Sequence, residues 1–115
     1  MTVFTLRVTT NPDSRTAVLY NLTSLLAPTR VQPGCISCRL YGDIEEPKAI
    51  RLVEEWQSQA DLERHLRSED FRLVLAAIEL SAGKPELHFD TVSARAGLEV
   101  IESARLQSES PPRVA

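Results

Sequence analysis

The stretch from Ile50 to Leu80, IRLVEEWQSQADLERHLRSEDFRLVLAAIEL, constrains the fold more than any other, because strand, turn and helix signals succeed one another in it. From Ile50 to Trp56 one parity carries Ile50, Leu52, Glu54 and Trp56 and the other Arg51, Val53 and Glu55, the alternation of a short strand. Ser58 with Asp61 has the form of a capping box. The hydroxyl takes an orphan backbone N–H, and the carboxylate favours the positive end of the helix. A helix is therefore predicted from Gln59, with Leu62, His65 and Leu66 as a narrow stripe among Asp61, Glu63, Arg64 and Arg67. Ser68, Glu69 and Asp70 read as a second cap and acidic first turn. Phe71, Val74, Leu75 and Ile78 continue the stripe until Gly83 and Pro85 stop it. One broken helix or two abutting helices is expected.

The remaining chain arranges itself around this unit. Phe4, Leu6 and Val8 alternate with Val3, Thr5 and Arg7, so residues 2–10 form a first strand with one apolar face. Asn11-Pro12-Asp13 is a helix start, with a capping side chain, a proline whose missing N–H would have been unsatisfied anyway, and an acid in the first turn. Val18, Leu22, Leu25 and Leu26 share a face of that helix, which should stop before Pro28. Gly34 opens a second strand, CISCRLY, and the polar run through Gly42-Asp43 and Glu45-Glu46-Pro47 is a loop. Glu86 to Val92 alternates Leu87 and Phe89 against His88 and Asp90, a fourth strand.

The order βαββαβ is the ferredoxin-like α+β arrangement, a four-stranded antiparallel sheet with both helices on one face. The opposite face must be polar or find a partner. Cys35, Tyr41 and Val53 beside Ser37, Arg39, Arg51 and Glu55 make it half apolar, which suits sheet-on-sheet packing in a two-fold homodimer. Residues 94–105 lie beyond the four-strand unit of residues 1–93. Leu98, Ile101 and Arg105 permit a short helix, and Glu99-Val100-Ile101 equally permits a strand added to a neighbour; either way the segment is expected to be an arm on the partner. Residues 106–115, with two adjacent prolines and no apolar period, are expected to be a disordered tail.

Composition removes several function classes. With 115 residues there is room for one domain, and 43% hydrophobic with 25% charged residues is ordinary for a globular chain. A net charge of −3 with both signs interspersed offers no basic surface to nucleic acid. No apolar run approaches the roughly 20 residues that span a bilayer, and MTVFTLRVTT lacks the order of a signal peptide, so a cytoplasmic protein is expected. Cys35 and Cys38 stand three apart on a strand and should point to opposite faces, as small packing residues and not as a redox or metal pair. A phosphate loop, a GxSxG elbow and a metal-spaced His/Cys cluster are missing from the sequence; His65 and His88 have no HExxH companions. No cofactor and no metal are expected.

Glu54-x-Trp56 followed by Leu62, His65 and Ser68, together with the Pro33-Gly34-Cys35 turn and Pro85 before the fourth strand, resembles the antibiotic-biosynthesis monooxygenase family of the dimeric α+β barrel superfamily, over residues 2–93. The resemblance implies pairing of two sheets into a dimeric barrel. It also implies a cofactor-independent monooxygenase that oxidises a small aromatic substrate such as a quinol or polyphenol with molecular oxygen, the substrate itself supplying the electrons. Such a protein need only bind a planar phenol, help deprotonate it and exclude water. Relatives that degrade haem place an asparagine in the first strand, where FTLRV offers Leu6 or Thr5 and no amide. Haem degradation is accordingly not expected.

Trp56 and His65 are the candidate catalytic residues. The indole can stack on an aromatic ring and aim its N–H at a developing oxyanion, and the imidazole can accept a phenolic proton or hold the anion. A core tryptophan and a hydrogen-bonded structural histidine are the competing readings. Tyr41 and Phe71 are candidate substrate-binding walls of a pocket between sheet and helices, with plain core packing as the alternative. Glu54 and Glu55, being adjacent, cannot form a carboxylate dyad on a strand. A non-catalytic module binding a small aromatic molecule, or an assembly protein, is the alternative function.

Overall fold

The computed structural model describes residues 1–108. Its sheet is built on β1 (Thr2–Thr9), which pairs antiparallel with β3 (Ala49–Trp56) on one side and β4 (Glu86–Thr91) on the other; β2 (Cys35–Gly42) lies outside β3, for the order β2-β3-β1-β4. Burial along β1 alternates without a break. Phe4, Leu6 and Val8 lie inside, and Val3, Thr5 and Arg7 are half-buried on the other side. Helices α1 (Arg15–Arg30), α2 (Gln59–Leu66) and α3 (Arg72–Glu79) cover the inner face, where Val18, Leu22, Leu25, Leu62, Val74 and Ala77 complete one core with Phe4, Leu6, Val8 and Leu52. This is the expected ferredoxin-like α+β frame, with its second helix broken in two. Among the described residues no helix is long and apolar enough to cross a membrane.

Several local expectations are corrected. Helix α1 runs through Pro28 to Arg30 instead of stopping before the proline. Pro28 costs only one bond in the final turn, while Leu25 and Thr29 are buried there and Arg30 Nε donates to the Cys38 carbonyl at 2.9 Å. Asn11 closes the turn ahead of the helix, its Oδ1 accepting from the Ser14 N–H at 2.9 Å, and the helix itself begins at Arg15. Ser58 caps α2 as expected, accepting from the Asp61 N–H at 3.1 Å. Ser68 does not cap α3. Its hydroxyl donates to the His65 carbonyl at 2.7 Å and so finishes α2, leaving residues 68–71 as a turn.

The largest correction concerns β2. Cys35 is opposite Trp56, Ser37 is opposite Glu55 and Cys38 is opposite Glu54, so Ile36 is the extra residue of a β-bulge. The bulge resets the parity. Cys35 and Cys38 both face the helices, against the expectation of opposite faces, and both are free thiols. Burial, then the nearby Glu54 charge, raises both thiols above their ordinary value, Cys38 to about 12.

β4 is exposed along its whole length, because the helices do not extend over it; Leu87 and Phe89 face the helix side without being covered. Beyond it, Arg95 pairs with Glu55 on the open sheet face, and α4 (Leu98–Ser108) follows, with Leu98, Val100 and Ile101 exposed. The segment left open between strand and helix is therefore helical, and the helix continues past Arg105 to Ser108. Of the expected tail, residues 109–115 lie outside the described residues.

Candidate functional site

Glu54, Trp56 and His65 are brought together by two separate pieces of local structure. Alternation on β3 turns Glu54 and Trp56 inward, and the Ser58 cap sets the phase of α2 so that Leu62 and His65 point down onto them. All three side chains are fully buried, at 0% exposure. Their contacts explain how a carboxylate survives there. Glu54 Oε1 accepts from the Trp56 indole N–H at 3.1 Å; His65 Nε2 lies 3.0 Å from Oε1 and 3.2 Å from Oε2; the Cys38 thiol approaches Oε2 at 3.9 Å. A buried carboxylate needs several donors, and this one has them.

The other imidazole nitrogen, Nδ1, lies 3.0 Å from Gln32 Oε1. Gln32 Nε2 donates in turn to Asp70 Oδ2 at 3.3 Å, which sets the amide with its oxygen toward the histidine. Both ring nitrogens of His65 therefore face acceptors. A ring that carried both protons would donate at each nitrogen, to a buried carboxylate on one side and to an amide oxygen on the other. The indole lies on its face, ring centroids 4.7 Å apart and 28° from parallel, as suits a cation on an aromatic surface.

Phe71 stands edge-on to His65 at 5.4 Å and 82°, and 6.0 Å from Phe4, which stacks at 4.9 Å on Phe89. A file of aromatic rings thus leads from the half-exposed Phe89 to the buried imidazole. Of the expected site residues, His65 is in contact with both Trp56 and Phe71. Tyr41 is not among them. It projects from the opposite sheet face, 49% exposed, into a concavity of about 550 Å³ with Arg7, Arg51, Val53, Asp43 and Ile44. The indole N–H, expected to face a developing oxyanion, instead donates to Glu54 Oε1.

Sequence reasoning named Glu54 in the Glu54-x-Trp56 pattern but gave it no role in the site, and it passed over Gln32. A glutamate sharing parity with Ile50, Leu52 and Trp56 on an inward face was the available signal for the first. For Gln32, in the loop after α1, there was none.

Residues 1–77 match the family model for antibiotic biosynthesis monooxygenase. The chain belongs to that family. The match covers Glu54, Trp56, His65 and Phe71 but ends before β4. Among solved structures, Rv0793 from Mycobacterium tuberculosis is similar to this family member with a TM-score of 0.76 and 24% identity, over 84% of this chain and 98% of that one. A crystal structure of an antibiotic biosynthesis monooxygenase gives 0.72 and 24%, over 82% and 100%. At these identities the likeness shows the fold. An uncharacterized protein of Synechocystis, sll1783, is 30% identical over 60 residues, 52% of this chain and 41% of that protein, so the match takes in less than half of the relative's length.

Proposed function

We propose that this chain is a cofactor-independent monooxygenase that oxidises a small electron-rich aromatic substrate, of the quinol or polyphenol kind, with molecular oxygen. The observation that carries the reading is the buried stack of the His65 imidazole on the Trp56 indole, with the Glu54 carboxylate held against both. A phenol would enter the site as the phenolate, its proton left in bulk solvent on binding, because a His65 N–H donor and the exclusion of water favour the anion that it can hydrogen-bond. The ionised ring is electron-rich enough to pass one electron to oxygen. Recombination of the ring radical with superoxide forms a carbon–oxygen bond and a peroxide, and loss of water from the peroxide leaves a carbonyl; SH2 and O2 become SO and H2O. The protein supplies charge stabilisation, ring stacking on Trp56 and Phe71, and a dry site.

A homodimer belongs to the same reading. The helices occupy one sheet face, and Val3, Tyr41 and Val53 on the other, with the exposed Leu98, Val100 and Ile101 of α4, are apolar surface for a second copy. Cys35 no longer contributes to that face.

Oxygen uptake with a panel of hydroquinones and anthrones tests the chemistry. Uptake above buffer that falls in Trp56→Phe and His65→Ala supports it, and uptake at the buffer rate, or unaffected by both changes, refutes it. One observation favours a second reading, a binding module without turnover: His65 and Glu54 are satisfied inside the fold, as structural residues are. A ligand that raises the melting temperature and is recovered unchanged in air would select that reading.

A further inference from the structure

His65 is closed off by two quite different groups. Glu54 on Nε2 is fully buried and accepts from Trp56 as well, whereas Gln32 on Nδ1 is half-buried and reaches the imidazole from a loop. That loop's backbone is pinned. Gln32 N–H donates to the Thr29 carbonyl at 3.1 Å and Cys35 N–H to the Gln32 carbonyl at 3.1 Å. Arg64 Nη2 donates to the Pro33 carbonyl at 2.9 Å, and Gln57 N–H donates to the Gly34 carbonyl at 2.8 Å. What can move is the Gln32 side chain, a rotamer change that needs no loop rearrangement. Its outer end is tied to Asp70, one residue before Phe71, so the Gln32–Asp70 bond joins the α1–β2 loop to the α2–α3 turn across the imidazole.

We propose that Gln32 is a clasp whose amide oxygen occupies, in the resting protein, the place on His65 Nδ1 that the substrate's phenolic oxygen takes during turnover. This rests on the monooxygenase reading and deepens it, because it assigns the substrate oxygen to one atom. The chemistry is matched: Nδ1–H is a donor, Gln32 Oε1 is a neutral acceptor of the same kind as a phenol oxygen, and a phenolate is a stronger one. Substrate therefore displaces an internal competitor. Gln32 is a positioning and specificity residue, selecting for ligands that bring an oxygen anion and against aromatic hydrocarbons that bring none.

The chain's single tryptophan, Trp56, reports on the site by fluorescence. Under nitrogen, 1,4-naphthohydroquinone titrated against Gln32→Ala should bind about tenfold tighter than against the parent, one charge-assisted hydrogen bond no longer being displaced. Gln32→Glu, whose carboxylate grips the imidazolium, should bind more weakly, and naphthalene should not respond to either change. Equal or weaker binding in Gln32→Ala overturns the proposal. A second measurement needs no substrate. Deuterium exchange at the His65 Cε1–H should quicken in Gln32→Ala and Asp70→Ala at unchanged melting temperature, and unchanged protection in both overturns the clasp. Faster exchange without any oxygen uptake would leave the clasp standing and remove the oxidation.

Discussion

Glu54→Gln is the most informative single change, because shape is kept and one charge is lost. The carboxylate accepts from Trp56 at 3.1 Å and His65 at 3.0 Å. An amide has one acceptor oxygen and presents its NH2 to the other partner, so at least one charge-assisted hydrogen bond disappears, about 1.5–3 kcal/mol. If His65 is protonated it also loses its counter-charge at 0% exposure, and breaking a buried pair from one side costs about 3–5 kcal/mol. A loss near 3 kcal/mol is expected, roughly 10 °C in melting temperature for a chain of this size. Against a total stability of about 5–15 kcal/mol the variant should still fold. Glu55→Gln is the control one residue away. Glu55 accepts from Ser37 at 2.5 Å and pairs with Arg95 on the open face, which holds its carboxyl below the usual range. Such a surface pair contributes under about 1 kcal/mol. Urea unfolding followed by Trp56 fluorescence measures both. Replacing the pair together, Glu54→Leu with His65→Leu, should recover much of the loss, because no buried charge is left alone. Equal effects at Glu54 and Glu55, or a double variant worse than the sum of its parts, would refute the buried ion pair.

Gly34→Ala should cost about 2 kcal/mol, since φ is +84° and a Cβ would fall 2.2 Å from the Asp61 carboxyl; Gly83→Ala, at φ +90° with open space around it, should cost only about 1 kcal/mol, and calorimetry separates the two. Cys38, pushed up to about 12 mainly by burial, keeps its proton in the fold when the unfolded thiol has lost it. Stability should therefore fall as pH rises from about 9 toward 12, and urea midpoints across that range should fall less steeply in Cys38→Ala. Removing residues 94–115 should weaken the proposed homodimer, measured by light scattering at low micromolar concentration. A monomer mass for the full chain would refute dimerisation, and an unchanged dimer after truncation would show that α4 takes no part.

What the sequence determined by itself was whatever depends on neighbours a few residues away. Alternation along β1 and β3, the Ser58 cap on α2 and the break between α2 and α3 follow from side-chain period and backbone donors, and together they suffice for the βαββαβ frame. Trp56 and His65 were legible as candidates because each sits at a predictable phase of its element, and Phe71 because it continues the apolar stripe just ahead of α3. The tertiary structure decided the rest. Periodicity says that Glu54 and Glu55 face opposite ways, but only packing of α2 on β3 supplies the one with His65 and leaves the other to Ser37 and Arg95. The bulge at Ile36 reverses the parity of Cys35, and Tyr41 belongs to the open face because of the register with Arg51. Gln32 reaches His65 across 33 positions of sequence. A local pattern fixes which way a side chain points; the group that meets it there is chosen by contacts between distant segments, whose pairing is settled only when the whole core closes.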